Sequence, residues 1–222
     1  NLLRTDGKAG YVNTGVWASK AIKEAKIIGN TVVVASSEEQ KFTHIPKGYD
    51  IPSDLDYLHI TSNNTIYGTQ MKSFPKTNVP LVCDMSSDIF SREVNGNDFS
   101  LIYAGAQKNM GPAGATMVAV RKSALGKTGR KMLSMLDYNV HIKGDSMYNT
   151  PPVFPIYVSM LTMEWLKNNG GVPHIEKVNN QKANLLYAEI DRNPLFKGTT
   201  AVEDRSNMNV TFVMHNPELE PA

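Results

Sequence analysis

The segment Tyr103 to Gly114, YAGAQKNMGPAG, carries a single lysine, Lys108, in a loop with Gly105, Gly111 and Gly114 that follows an apolar run. The glycine spacing fits neither a Walker loop nor a dinucleotide fingerprint. A lysine on a tight turn at a strand's end suits Schiff-base chemistry. Its amine has to reach a carbonyl carbon and shed a proton, and partial burial among small residues favours both. The competing reading is a solvated cation, the ordinary state of most of the chain's 17 lysines (23 Lys+Arg less six Arg).

Three further residues sit where they could serve the same site. Asp84, in Cys83-Asp84-Met85-Ser86-Ser87, closes an apolar run 24 residues before Lys108. In a parallel sheet, ligands gather beyond the carboxyl ends of the strands, so Asp84 and Lys108 would face one crevice. A carboxylate there could pair with a protonated pyridine nitrogen; an Asx-turn or helix cap is the plainer alternative. Thr65, in Ser62-Asn63-Asn64-Thr65, offers a hydroxyl at another strand end, although Ser/Asn/Thr clusters are also ordinary loop material. Trp17, at a helix start, could stack on an aromatic ligand or simply pack into the core.

The elements that must hold these residues are legible as an alternation of apolar runs and amphipathic stretches. Trp17, Ala21, Ile22, Ala25 and Ile28 recur at helical steps and stop at Gly29. TVVVA (31–35), DYLHIT (56–61), PLVC (80–83), SLIYA (100–104) and ATMVAV (115–120) read as strands. Their near-continuous apolar character predicts a mostly parallel α/β sheet covered on both faces. The step from the fourth run to the fifth is too short for a helical crossover, which predicts an antiparallel fifth strand. Gly126 to Gly144 is a basic, loop-rich excursion. After Pro151-Pro152, one helix with Ile156, Met160, Met163 and Leu166 on its face ends at Asn168-Asn169-Gly170-Gly171, and a second, with Ile175, Val178, Ala183, Leu186 and Ile190, ends at Asn193-Pro194. Met208 to Val213 reads as a strand of a different sheet. Residues 1–170 are expected to form one domain and 171–222 a connecting helix with the start of another.

Composition narrows the functional classes. The 222 residues carry 23 Lys+Arg against 21 Asp+Glu, a formal charge of +2, which gives no electrostatic footprint for nucleic acid or an anionic membrane. One cysteine, Cys83, excludes an internal disulfide framework and any CxxC site, and five scattered histidines argue against a metal centre. No run approaches a membrane span, and the Asn-x-Thr triplets at Asn63 and Asn209 read as chance, so a cytoplasmic protein is expected. A chain that starts at Asn1 and stops soon after Pro-Glu-Leu-Glu is expected to be part of something longer.

SNNTIYGT, CDMSSDIFSR, YAGAQKNMGPAG and MYNTPP together resemble the phosphoserine aminotransferases, pyridoxal-phosphate enzymes of the class V aminotransferase group, and the similarity runs over essentially the whole chain. The resemblance implies a fold-type-I α/β large domain, a mostly parallel mixed sheet with helices on both faces, followed by the start of a small α+β domain. It implies that Lys108 binds pyridoxal 5'-phosphate covalently, Asp84 pairs with the pyridine nitrogen, Thr65 bonds the ring hydroxyl, Trp17 stacks on the ring and Gln107 contacts the phosphate. Asn149 and Thr150 would reach the phosphate of a neighbouring subunit's cofactor, in a homodimer with shared sites. The implied reaction moves an amino group between L-glutamate and 3-phosphohydroxypyruvate, giving 2-oxoglutarate and O-phospho-L-serine, within serine and pyridoxine biosynthesis. The family's earlier phosphate-binding glycine segment, its carboxylate-clamping arginine and its later His-Arg substrate contacts have no counterpart here.

Three rivals remain at this stage. An alanine–glyoxylate or serine–pyruvate aminotransferase would share the fold. A cysteine desulfurase would need a cysteine on a mobile loop, and Cys83 beside Asp84 at a strand end argues against it. A non-catalytic fragment or scaffold would keep the fold without turnover, and incubation with pyridoxal phosphate, which should give a yellow, borohydride-reducible adduct with the enzyme, would tell them apart.

Overall fold

The computed structural model describes residues 1–220. Its centre is a six-stranded sheet in the order β2-β1-β3-β6-β7-β8. The strands are β1 (Lys8–Asn13), β2 (Asn30–Ser36), β3 (Tyr57–Thr61), β6 (Leu81–Asp84), β7 (Leu101–Gly105) and β8 (Thr116–Val120). Neighbours run parallel throughout, except that β8 returns antiparallel to β7. That is the arrangement the short β7–β8 step demands.

Alternation along the strands sends two sets of side chains to opposite faces. Val12, Leu58, Ile60, Leu81, Cys83 and Ala104 join Met71, Met85 and Phe99 in the main core. Leu58 and Ile60 are fully buried, each contributing about 1.5–3 kcal/mol of apolar transfer. The other face carries Tyr57, the register pair Tyr11 and His59 on β1 and β3, and the register pair Asp84 and Tyr103 on β6 and β7. Helix α1 (Val16–Ile28) covers part of it, turning Ala18 and Ile22 inward, and the Gly29 N–H closes its last turn on Ala25 O.

Several elements differ from their sequence expectation. Strand β1 carries no clear apolar signal, because Lys8-Ala9-Gly10 dilutes the run; yet it sits between β2 and β3. The sheet is covered on both faces only in its middle: at the edges, Val33 of β2 is 45% exposed and Val118 of β8 36%. The basic excursion contains a short helix, α2 (Tyr138–Lys143), capped by the Asp137 side chain on Asn139 N. Helices α3 (Val153–Asn168) and α4 (Gly171–Arg192) fall where the periodicity placed them, but Ile156, Met160 and Leu186 point outward. The strand expected over 208–213 begins only at Phe212: β10 (Phe212–Met214) pairs antiparallel with β9 (Phe196–Gly198) in a separate two-stranded sheet. Residues 206–211 instead spend hydrogen bonds on the loop that follows β3. Among the described residues, no helix is long and apolar enough to cross a membrane.

Candidate active site

The carboxyl ends of β1, β3, β6 and β7 open onto one edge of the sheet, and the four loops leaving them are joined by hydrogen bonds. After β1, Thr14 Oγ1 donates to Asn64 Oδ1 at 3.0 Å, tying the start of α1 to the loop after β3. That loop is a small hairpin, β4 (Asn63–Asn64) and β5 (Thr69–Gln70), with Asn64 Nδ2 donating to Thr69 Oγ1. Asn63 Nδ2 then donates to Ser87 Oγ at 2.8 Å, and Ser87 Oγ returns its proton to Asn63 O, joining β3's loop to β6's. Finally, Gly105 N donates to Ser86 Oγ at 3.2 Å and Asn109 Nδ2 to Ile89 O at 2.8 Å, joining the loop after β6 to the one that carries Lys108. Each bond satisfies a polar group that burial would otherwise leave unpaired, at a cost of about 1–3 kcal/mol each.

The residues singled out from sequence distribute as follows. Asp84 ends β6, half-buried, and its Oδ1 accepts from Ser86 N at 2.9 Å. The Asx-turn of the plainer reading is therefore present, and it occupies one carboxylate oxygen. Lys108 stands exposed in the turn 106–110 and forms no ion pair among the described residues. That turn is closed by Met110 and Gly111 N–H groups on Ala106 O and lies against α3, where a Cβ on Gly111 would meet Ser159 Oγ at 2.9 Å and its backbone N at 3.3 Å. Gln107 is exposed beside Lys108, its amide folded back over Gly105. Thr65 is half-buried in the β4–β5 turn. Trp17 lies in the first turn of α1, 49% exposed rather than in the core, with Lys20 Nζ 4.7 Å from its ring centroid. These five share the carboxyl edge. Asn149 and Thr150 do not join them: both are exposed ahead of α3, and among the described residues their one hydrogen bond is between themselves.

Sequence reasoning missed the residues that hold this edge together. Ser62, Asn63 and Asn64 follow a buried strand and are themselves buried, as is Asp88. Asp88 accepts from the Ser62 hydroxyl and from Gln70 Nε2, and burial still pushes its carboxyl up. A run of short polar residues directly after an apolar strand was the available signal. The clasp from residues 199–211 had none. Ser206 Oγ donates to Asn63 Oδ1 at 2.5 Å, Asn209 Oδ1 accepts from Asn63 Nδ2 at 2.7 Å, and Thr200 and Thr211 hydroxyls both reach Tyr67 O. Gly68, at φ +69°, lets the turn pass close under Thr211 where a Cβ would sit 2.3 Å from its Oγ1. The two Asn-x-Thr asparagines thus bond one another.

Burial also sets the charges near Asp84. His59 is pushed down to about 4 by desolvation, with Asp84's charge pulling weakly the other way. Tyr103 is raised by burial and by Asp84 beside it. Cys83 is fully buried and its thiol is pushed well up, again chiefly by desolvation, so it is no nucleophile.

Comparison with known proteins points the same way. The model of the family described as Aminotransferase class-V matches residues 1–220. The chain is 68% identical to the phosphoserine aminotransferase of Flavobacterium psychrophilum over 97% of its own length and 61% of that protein's. With the Flavobacterium johnsoniae protein of the same name it shares 64%, over 98% and 61%. Its fold superposes on the phosphoserine aminotransferase of Bacillus circulans subsp. alkalophilus with a TM-score of 0.95 at 45% identity, covering 99% of this chain and 62% of that one. A pyridoxal-phosphate-bound structure from Trichomonas vaginalis gives 0.91 at 31% identity, over 97% and 61%. The chain thus spans about three fifths of the length of the relatives it matches.

Proposed function

Because the chain belongs to the class V aminotransferase family, we propose that the protein acts as a phosphoserine aminotransferase, moving an amino group between L-glutamate and 3-phosphohydroxypyruvate with pyridoxal 5'-phosphate. The observation that carries this is the joint between two turns. Asp84 and Lys108 leave adjacent parallel strands at the same edge, and the Gly105 N–Ser86 Oγ bond fixes one turn against the other. The curated relatives' names support the choice of substrates.

The residues present fit the cofactor. Asp84 keeps one carboxylate oxygen for a ring N–H while Ser86 N holds the other. Lys108 is exposed, and the Trp17 side chain is 49% exposed. Pyridoxal phosphate supplies an electron-poor ring that takes up charge from a substrate's α-carbon. Asp84 would keep the proton on the ring nitrogen. Lys108 Nζ would hold the cofactor's aldehyde carbon and, once displaced by the substrate amine, would carry the α-proton. Thr65 would bond the ring hydroxyl, Trp17 would stack on the ring and Gln107 would contact the phosphate. Asn149 and Thr150, exposed and away from this edge, would complete the phosphate site of a second copy in a homodimer. The same reading places a domain boundary at Gly170–Gly171, where φ of +86° and +68° separates α3 from α4. The desulfurase alternative has no support in the fully buried Cys83.

The test is covalent trapping. With pyridoxal phosphate and borohydride, the pyridoxyl label is expected in the tryptic peptide containing Lys108. Lys108→Arg should abolish both label and turnover while the fold survives, since a guanidinium keeps the charge but cannot make the bond. A label on Lys122 or Lys131 would overturn the assignment. Competing 3-phosphohydroxypyruvate against glyoxylate as amino acceptor then separates the proposed activity from that of an alanine–glyoxylate enzyme.

A further inference from the structure

Asn63 and Gln70 stand directly opposite one another on β4 and β5, and are 2% and 1% exposed. Each side-chain amide is held from two directions. Asn63 Nδ2 donates to Ser87 Oγ at 2.8 Å and to Asn209 Oδ1 at 2.7 Å, while Asn63 Oδ1 accepts from the Ser206 hydroxyl. Gln70 Nε2 donates to Asp88 Oδ2 at 3.3 Å, and Gln70 Oε1 accepts from Asn207 N at 3.2 Å. The pair therefore bridges the turn 206–209 to Ser87 and Asp88, which follow Asp84 closely in the chain.

Both ends of the bridge lead further. The turn 206–209 is fastened to α4: the Tyr187 hydroxyl donates to Ser206 O at 3.0 Å, and Asn207 Nδ2 donates to Asn180 Oδ1 at 2.5 Å. Just before it, Arg205 grips the Asp191 carboxylate with both Nη groups at 2.6 Å. At the other end, Ser86 N holds the Asp84 carboxylate, and Ser86 Oγ holds the lysine turn through Gly105 N. A primary amide has two donor protons and one oxygen. Asn63 has all of these engaged, so its plane cannot turn without breaking a bond at one end or the other. A displacement of 206–209 thus reaches Ser87 with little slack.

We propose that Asn63 and Gln70 are positioning residues through which α4 and the turn 206–209 set the placement of Asp84 and Thr65 for the cofactor. They act through the turn 84–88 and the β4–β5 hairpin, supplying order that cofactor binding would otherwise have to impose at its own cost. This rests on the roles given to Asp84 and Thr65 above. Asn209 is half-buried, so Asn209→Ala removes one bond without emptying the core, and Asn209→Asp keeps the accepting oxygen. In the full-length protein, amide exchange at Ser86 and Gly105 is expected to quicken in Asn209→Ala and to return to the unmodified rate in Asn209→Asp, with Val12 and Ile60 in the sheet unchanged. Pyridoxal phosphate affinity should fall about fivefold in Asn209→Ala and in Ser87→Ala, the scale of one neutral hydrogen bond. The double variant should lose no more than either single one, because both act through Asn63. Independent structural bonds would instead multiply to about 25-fold, and that result overturns the inference. So does exchange that quickens throughout the sheet or not at all near Asp84, and so does an affinity that Asn209→Ala leaves unchanged. The proposed function is judged separately. If borohydride traps no label on Lys108 in the unmodified protein while exchange responds as expected, the bridge stands and the site it was given to serve fails.

Discussion

The carboxyl edge of the sheet and the stretch from Gly126 to Trp165 are held in opposite ways. At the edge, Ser62, Asn63, Asn64 and Asp88 are polar, buried and hydrogen-bonded within the chain. In the other stretch, Leu133, Leu136, Met147, Phe154 and Trp165 are apolar and each more than half exposed. The edge is complete by its own bonds, as a preorganised site requires. The second region exposes five large apolar side chains within 33 residues, the pattern expected of a surface that meets other protein. Asn149 and Thr150 sit inside it. The proposed function gives the first region a site to hold, and it would give the second one to complete in a partner.

The sharpest way to break that assignment is complementation. In a full-length protein, Lys108→Ala and Asn149→Ala/Thr150→Ala are each expected to be nearly inactive as homodimers. Re-associated from a mixture, half the dimers are hybrids, and one of each hybrid's two sites carries both intact parts. Activity should return to about one quarter of wild type by this symmetry arithmetic. Were Asn149 and Thr150 to serve their own chain, every hybrid site would hold one lesion. No recovery, with hybrids verified by native mass spectrometry, would remove the shared site.

At the edge, the next effect is one of pH. His59 has a folded pKa of about 4, lowered chiefly by burial, against an ordinary value near 6.5. Between these values the unfolded chain binds a proton that the folded chain refuses, so stability is full above about pH 6.5 and falls as pH drops towards 4. The loss is roughly 3 kcal/mol, at 1.36 kcal/mol per unit. Asp88, raised by burial, acts with the opposite sign, but it cancels in a comparison with His59→Gln. Urea titrations across pH 4–7.5 should show that variant with a shallower slope; parallel slopes would refute a neutral buried His59.

How much of this was legible in the sequence follows the same division. Lys108 and Asp84 were legible as candidates because Asp84 ends one apolar strand and Lys108 lies in the turn just beyond the next, and strand order in a parallel sheet puts such ends together. Trp17 and Thr65 were readable only as weak candidates, since a helix start and a Ser/Asn/Thr loop occur everywhere. Gln107, Asn149 and Thr150 came from family resemblance alone. Strand β1 was invisible because its centre is small residues, and the 199–211 clasp because its bonds span more than 130 residues. Long-range polar pairing leaves no local period to read. Asn63 tests that point. Its amide serves Ser87, Ser206 and Asn209, so Asn63→Ala strands several partly or wholly buried groups. A loss of about 2–3 kcal/mol in unfolding free energy is expected; a loss under about 0.5 kcal/mol would mean that the clasp adds nothing.

The smallest expected effect belongs to the exposed stretch and completes the contrast. Phe154 and Trp165, 68% and 56% exposed on α3, can be replaced by Gln, a good helix former. If this face is a docking surface, the single chain scarcely depends on them, and its unfolding free energy should move by no more than about 0.5 kcal/mol. Leu58→Ala, removing fewer atoms from a fully buried position, should cost about 2–5 kcal/mol because a cavity remains. The Gln variants should instead weaken self-association, read as a shift towards monomer in sedimentation at fixed concentration. Unfolding losses as large as that of Leu58→Ala would make this face part of the chain's own core. Unchanged stability with unchanged association would leave it an ordinary surface, with Asn149 and Thr150 reaching no partner from it.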